Sequence, residues 1–143
     1  MRKYYFIAAG GAIGALLRYE LKASSAIFET SSSLLSLSFN ILLINLFGCL
    51  LLGILNAVFS KTDRINNDLK LGVTAGFVGA FTTFSTFCKE SLSILDAGLI
   101  STFFYYIAAS IIFGVAAVYL GHQIGHRVIH PLGKKIVSQF SYN

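Results

Sequence analysis

The chain is poor in charge, proline, cysteine and tryptophan. Of its 143 residues, Asp, Glu, Lys and Arg make up 12%, and there are one proline, two cysteines and no tryptophan. Soluble domains carry about 25% charged residues, so an ordinary water-facing surface is excluded. Cys49 and Cys88 both fall inside apolar runs. Lone thiols at that depth read as packing residues, not as a disulfide or a metal site. No paired carboxylates lie within an apolar run, and there is no Ser-His-Asp or Cys-His arrangement, Walker loop or dinucleotide fingerprint. The chain is therefore not expected to be an enzyme. A cleavable signal peptide is not expected either, because the first apolar run starts directly after Arg2-Lys3 and no clear cleavage site follows.

Apolar sequence is abundant. Hydrophobic residues make up 55% of the chain, and short polar joints divide them into four segments. The expected fold class is an all-α membrane protein, residues 1–143 forming a single four-span domain. The spans run roughly over 4–23, 35–59, 70–95 and 99–121, with a basic C-terminal tail at 122–143. The net charge of +5 does not point to nucleic acid. The basic residues gather in joints and tails, where membrane proteins carry them to fix orientation.

One stretch stands apart: Gly76-Phe77-Val78-Gly79-Ala80-Phe81-Thr82-Thr83-Phe84-Ser85-Thr86-Phe87, inside an uncharged run from Leu71 to Cys88. The run is long enough to cross a bilayer but a poor helix, with spaced glycines followed by threonines and a serine. In lipid, freed backbone groups are tolerated only where protein or a wet path satisfies them. Broken transmembrane helices use such carbonyls to hold ions. The third span is thus expected to be broken here, and the break to be the working part. If helix resumes after it, Phe84 and Phe87 share a side at i, i+3, a spacing that by itself reads as packing.

The other spans offer fewer candidates. Gly10, Gly11 and Gly14 permit close helix packing. Arg18, near the end of the first span, either anchors at the interface or attracts anions to a pore mouth. Asn45, within the second span, needs a partner at membrane depth. That partner is another helix, or an anion approached by its NH2 donor. Glu90 and Lys89 are expected to pair near the far interface, and Asp96-Ala97-Gly98 to turn the chain. On the fourth span Tyr106, Ser110 and Gly114 recur at i, i+4, i+8, a small or polar stripe that packs or lines a wet path. His122, His126 and His130 stand four apart, but no acid or cysteine joins them; the tail suits the membrane surface. The uncharged run of the first span, Tyr4–Leu17, lacks the coupling carboxylate of a four-span exporter of organic cations. A non-transporting assembly subunit is a further alternative.

Gly10-Gly11-Ala12-Ile13-Gly14-Ala15-Leu16-Leu17-Arg18-Tyr19, Asn45-Leu46-Phe47-Gly48 and the Gly76–Phe87 stretch resemble the signature segments of the Fluc/CrcB fluoride channel family. The resemblance runs from the first span through the fourth. It implies a fluoride-selective channel through which cytoplasmic fluoride leaves the cell passively, relieving its toxicity, in the plasma membrane. It implies two four-helix subunits in an antiparallel, dual-topology dimer with two fluoride pathways. The carbonyls of Gly79 and Thr82 from both subunits would hold a central structural Na+. Phe84 and Phe87 would face the fluoride path, Asn45 would donate to fluoride, and Ser85, Tyr106 and Ser110 would form a polar track, with Arg18 in the vestibule. Val78, Ala80 and Gly114 stand where the family often has Cys, Gly and a serine or threonine.

Basic residues are unevenly shared between the two ends of a four-span chain. Arg2, Lys3, Lys61, Arg64, Lys70, Arg127, Lys134 and Lys135 fall on one side, against Arg18, Lys22 and Lys89 on the other. Eight against three predicts insertion mainly with both termini in the cytoplasm. The antiparallel partner is then an oppositely biased paralogue, although the chain alone can still pair with inverted copies of itself.

Overall fold

The computed structural model describes residues 2–28, 34–60 and 65–129, and every regular element in them is helical. Helix α1 spans Arg2–Phe28, α2 Leu34–Phe59 and α3 Asn67–Leu71. The chain then widens into π-helix over Gly72–Val78 and returns to α geometry as α4, Gly79–Phe81. Helix α5 covers Phe84–Asp96 and α6 Ile100–Ile124, followed by a π-helical turn at Gly125–Ile129. Among the described residues, Ser38–Phe59, Asn67–Asp96 and Ile100–Arg127 are long and apolar enough to cross a membrane. The 27-residue α1 has the length, but Arg18 and Glu20 lower its apolar character. Glu20 falls within the expected first span and is exposed.

The helices bury little against one another. Phe104, Ile111, Ile112, Phe113 and Val115 of α6 all face outward. A helix that is apolar all round and mostly uncovered needs lipid or a partner around it.

Two glycine-mediated contacts organise the packing. Helix α1 lies against the first half of the third span. A Cβ added at Gly10 would fall on the Gly72 carbonyl, and one at Gly14 on the Phe77 carbonyl. In return, a Cβ at Gly76 would sit 2.6 Å from the Ile7 oxygen. The backbones touch, as small residues at this spacing allow. The glycines therefore do not interrupt the third span. Gly79 is right-handed helical at φ −63°, ψ −35°. Extended backbone appears instead at Thr82 (φ −72°, ψ 157°) and Thr83 (φ −143°, ψ 111°), between α4 and α5.

The second contact joins α2 to α6. A Cβ at Gly121 would meet the Leu50 carbonyl, and one at Gly125 would lie 2.7 Å from Ala57 Cβ. This packing carries α6 past 121, where the fourth span was expected to end. His122 and His126 thus continue the helix and its π turn instead of starting a separate surface segment. His130 and the rest of the tail lie outside the described residues.

The ends are tied locally. Gly98, at φ 75°, closes α5 by donating to Leu95 O at 2.9 Å, while Leu99 N–H reaches Ile94 O at 3.2 Å. This is the helix-ending pattern in which a left-handed glycine satisfies the last carbonyls. Arg2 Nε meets Asp68 Oδ2 at 3.1 Å, which brings the start of α1 beside α3. Lys70 Nζ donates to Phe59 O at 3.0 Å. Among the described residues Lys89 and Glu90 do not form the expected pair. Lys89 is exposed and Glu90 buried, because successive helical residues point in different directions.

Candidate functional site

The site grows from the two extended threonines. In a continuous helix each amide bonds the carbonyl four residues back. Thr82 N–H still does so, donating to Val78 O at 3.0 Å. Thr83 N–H donates instead to Asn45 Oδ1 on α2, at 2.8 Å. Asn45 Nδ2 returns a bond to Thr83 O at 3.3 Å. One side chain thus holds both polar groups of a residue that is only 5% exposed.

The Thr83 side chain restarts the helix. Its Oγ1 accepts from Thr86 N–H at 3.2 Å, which is N-cap geometry. It also donates to Thr86 Oγ1 at 3.0 Å and lies 3.3 Å from Ser85 Oγ. As a result, the two amides that would close ladder bonds onto the carbonyls of Gly79 and Thr82 are both engaged elsewhere. Gly79 O keeps a long contact from Thr82 Oγ1 at 3.4 Å, whose shorter bond goes to Val78 O at 3.0 Å.

Gly79 and Thr82 line a cleft of about 410 Å³ between α2, the third span and α6. Asn45, Gly79, Thr82, Thr83, Phe84, Phe87 and Ser110 all line it, beside the apolar Leu46, Val78 and Ile111. Phe84 is 78% exposed and lies 6.0 Å from Phe87, centroid to centroid. Phe87 stacks on Tyr106 of α6 at 5.3 Å. The cleft is chemically mild: it offers carbonyls, hydroxyls, an amide and ring edges. Among the described residues that line it, none is charged. Ring edges carry positive potential, so an anion can pass them without a cationic trap. Carbonyl oxygens on the same wall suit a hard cation.

A family profile described as "CrcB-like protein, Camphor Resistance (CrcB)" matches residues 5–122. The chain belongs to this family. Within it, a protein of Phocaeicola vulgatus named fluoride-specific ion channel FluC is 39% identical over 121 residues, covering 85% of this chain and 96% of the relative. One from Acidobacterium capsulatum with the same name is 35% identical over 127 residues, covering 89% and 98%. A Staphylococcus saprophyticus protein named fluoride-specific ion channel FluC 2 is 35% identical over 126 residues, covering 88% and 98%. These relatives are named as ion channels, not enzymes. With its long apolar helices, this CrcB-family chain is a multi-pass membrane protein.

The cleft gathers six of the nine expected site residues: Asn45, Gly79, Thr82, Phe84, Phe87 and Ser110. Tyr106 is one layer behind, 8% exposed and stacked on Phe87. Among the described residues its Oη has no hydrogen-bond partner. Ser110 Oγ donates to Tyr106 O at 2.7 Å. Ser85 is exposed beside Thr83 and Arg18 is half-exposed on α1, and neither is among the described residues that line the cleft. Thr83, whose amide, carbonyl and hydroxyl are all engaged here, was not among the expected site residues. Its signal was available as a threonine directly before a resumed helix, with Thr86 three residues on.

Proposed function

We propose that this chain forms a fluoride-selective channel that lets cytoplasmic fluoride leave the cell passively and relieves its toxicity. The observation that carries the reading is the uncharged cleft in which Asn45, Phe84, Phe87 and Ser110 meet the carbonyls at the extended threonines. The relatives named as fluoride-specific channels support it. HF is neutral, crosses the plasma membrane and ionises in a less acidic cytoplasm. A passive anion path then lets the membrane potential drive the trapped ion out. In this reading Phe84 and Phe87 present ring edges to the ion, and Asn45, Ser85, Tyr106 and Ser110 supply polar contacts. Arg18 draws anions toward the mouth. Every contact is weak enough to release, as conduction requires.

The finer assembly belongs to the same proposal. The extended Thr82–Thr83 pair is the break in the third span. Two chains, antiparallel in the lipid bilayer, cover each other's exposed apolar faces, and the carbonyls of Gly79 and Thr82 from both hold a Na+. The diversion of the Thr83 and Thr86 amides to Asn45 and Thr83 Oγ1 fits such a donor set. A bound Na+ would supply positive charge at the dimer centre and tie the two chains together. The eight-against-three distribution of basic residues favours both termini in the cytoplasm and an oppositely oriented paralogue as partner.

The test is fluoride efflux from liposomes holding the purified protein, with chloride as control. Fluoride efflux without chloride efflux is expected, and its absence would overturn the channel reading. Impermeant thiol labelling of single cysteines at the N-terminus and at position 63 reports orientation. Equal labelling from both faces of native membranes would leave a dual-topology homodimer instead of a paralogue pair.

A further inference from the structure

We infer that Asn45 is a positioning residue whose side-chain oxygen withholds the Thr83 amide from the helical ladder, leaving the Gly79 carbonyl available to a cation. This rests on the channel reading above. The geometry is local. Thr82 N–H closes its ladder bond to Val78 O at 3.0 Å. The next amide in line is that of Thr83, and its ladder acceptor is Gly79 O. It bonds Asn45 Oδ1 at 2.8 Å instead.

The orientation of the Asn45 amide is fixed by what it faces. Oδ1 meets an N–H and Nδ2 meets a carbonyl; the flipped amide would set donor against donor and acceptor against acceptor. The oxygen makes the shorter bond, 2.8 Å against 3.3 Å. Asn45 therefore serves first as an acceptor. One Nδ2 hydrogen is used on Thr83 O, and the other remains for the cleft that Asn45 lines.

Thr83 is only 5% exposed, so its amide has little bulk water to take in place of Asn45. A buried N–H must find an acceptor. With Asn45 Oδ1 gone, the acceptor within the chain's own ladder is Gly79 O. Closing that bond would take one oxygen from the cation and draw Thr83 toward helical geometry. Asn45 on α2 thus governs cation binding in the third span without touching the ion.

The experiment is sodium-dependent thermal stabilisation of the full-length protein in detergent, with N-methylglucamine replacing Na+. Wild type, Asn45→Asp and Asn45→Leu are compared. Asp keeps an acceptor for Thr83 N–H, although its second oxygen then faces Thr83 O in place of the Nδ2 donor, so its half-saturating Na+ is expected within about threefold of wild type. It is expected to hold even though a negative charge in the anion path abolishes fluoride flux. Leu keeps the volume and loses the acceptor, and should need at least tenfold more Na+. A folded Leu variant with the wild-type response would overturn the inference. So would an Asp variant that is folded but has lost the response, which keeps the test decisive where Leu does not fold. A wild type without a sodium response overturns it too, whatever its fluoride flux. Wild-type protein that responds to sodium but passes no fluoride would fail the channel reading alone.

Discussion

Replacing Gly48 with alanine tests the placement of Thr82 with a single methyl group. A Cβ at Gly48 would fall on Thr82 Cγ2 and lie 3.4 Å from Phe81 Cδ1. Thr82 is not free to rotate away, because its Oγ1 is bonded to Val78 O at 3.0 Å. Overpacking of this kind costs about 1–3 kcal/mol. Alanine is also a better helix former than glycine by roughly 1 kcal/mol, so Gly48→Ala alone should be net destabilising by up to about 2 kcal/mol. Thr82→Ser removes the obstructing methyl and keeps the hydroxyl, at a cost of about 0.8 kcal/mol. In that background the added Cβ has room, and Gly48→Ala should become stabilising. The substitution therefore changes sign with its neighbour, and a double-mutant cycle should return a coupling of about 1–3 kcal/mol. Thermal unfolding in detergent measures it, with liposome fluoride efflux in parallel. Equal effects of Gly48→Ala in both backgrounds would refute the packing argument.

Phe87→Ile should slow fluoride efflux at least tenfold and lower the melting temperature, since the ring both borders the cleft and stacks on Tyr106. Phe84→Ile should slow efflux with little change in melting temperature, because Phe84 is 78% exposed; the reverse pattern in the pair would misplace the pathway. Thr83→Val removes the cap on Thr86 N–H and should cost about 1 kcal/mol in thermal unfolding. Gly14→Ala should destabilise by about 1–3 kcal/mol through its collision with the Phe77 carbonyl, and an unchanged melting temperature would count against the close approach of α1.

The apolar runs made the helices legible, because length and hydropathy alone mark segments that suit a bilayer. The extended Thr82–Thr83 pair falls inside the stretch that stood apart in the sequence, but its glycines behave differently from that reading. Gly76 and Gly79 read as helix breakers, whereas they remain helical, and Gly76, with Gly72 before it, gives room to α1. A glycine's role as hinge or contact surface depends on a neighbour that the local sequence does not name. Asn45 shows the same limit. Its need for a partner followed from membrane depth, but the choice between helix and anion required Thr83, 38 residues away. Helix α6 runs on past His122, where hydropathy falls, because Gly121 and Gly125 continue to pack on α2.

Helix α1 rests on the third span before its threonine pair, against the π-helical segment and α4, while α5 beyond the pair rests on α2 and α6. The two halves of one membrane crossing therefore dock on different neighbours, and those neighbours emerge from the ribosome at different times. When residues 67–81 enter the bilayer, α1 is already present to receive them. The next half meets α2, also present, but must wait for α6 before its remaining face is covered. By chain order the α1 contact is available before α6 is made, so a chain arrested after Asp96 is expected to hold it while the Phe87 face is still open. Cysteines paired across α1 and the π-helical segment should cross-link in a chain arrested after Asp96, whereas burial of Phe87 should require α6. The Thr82–Thr83 pair then marks a boundary in time as well as in space, since the part of the helix before it can settle one synthetic step ahead of the part after it.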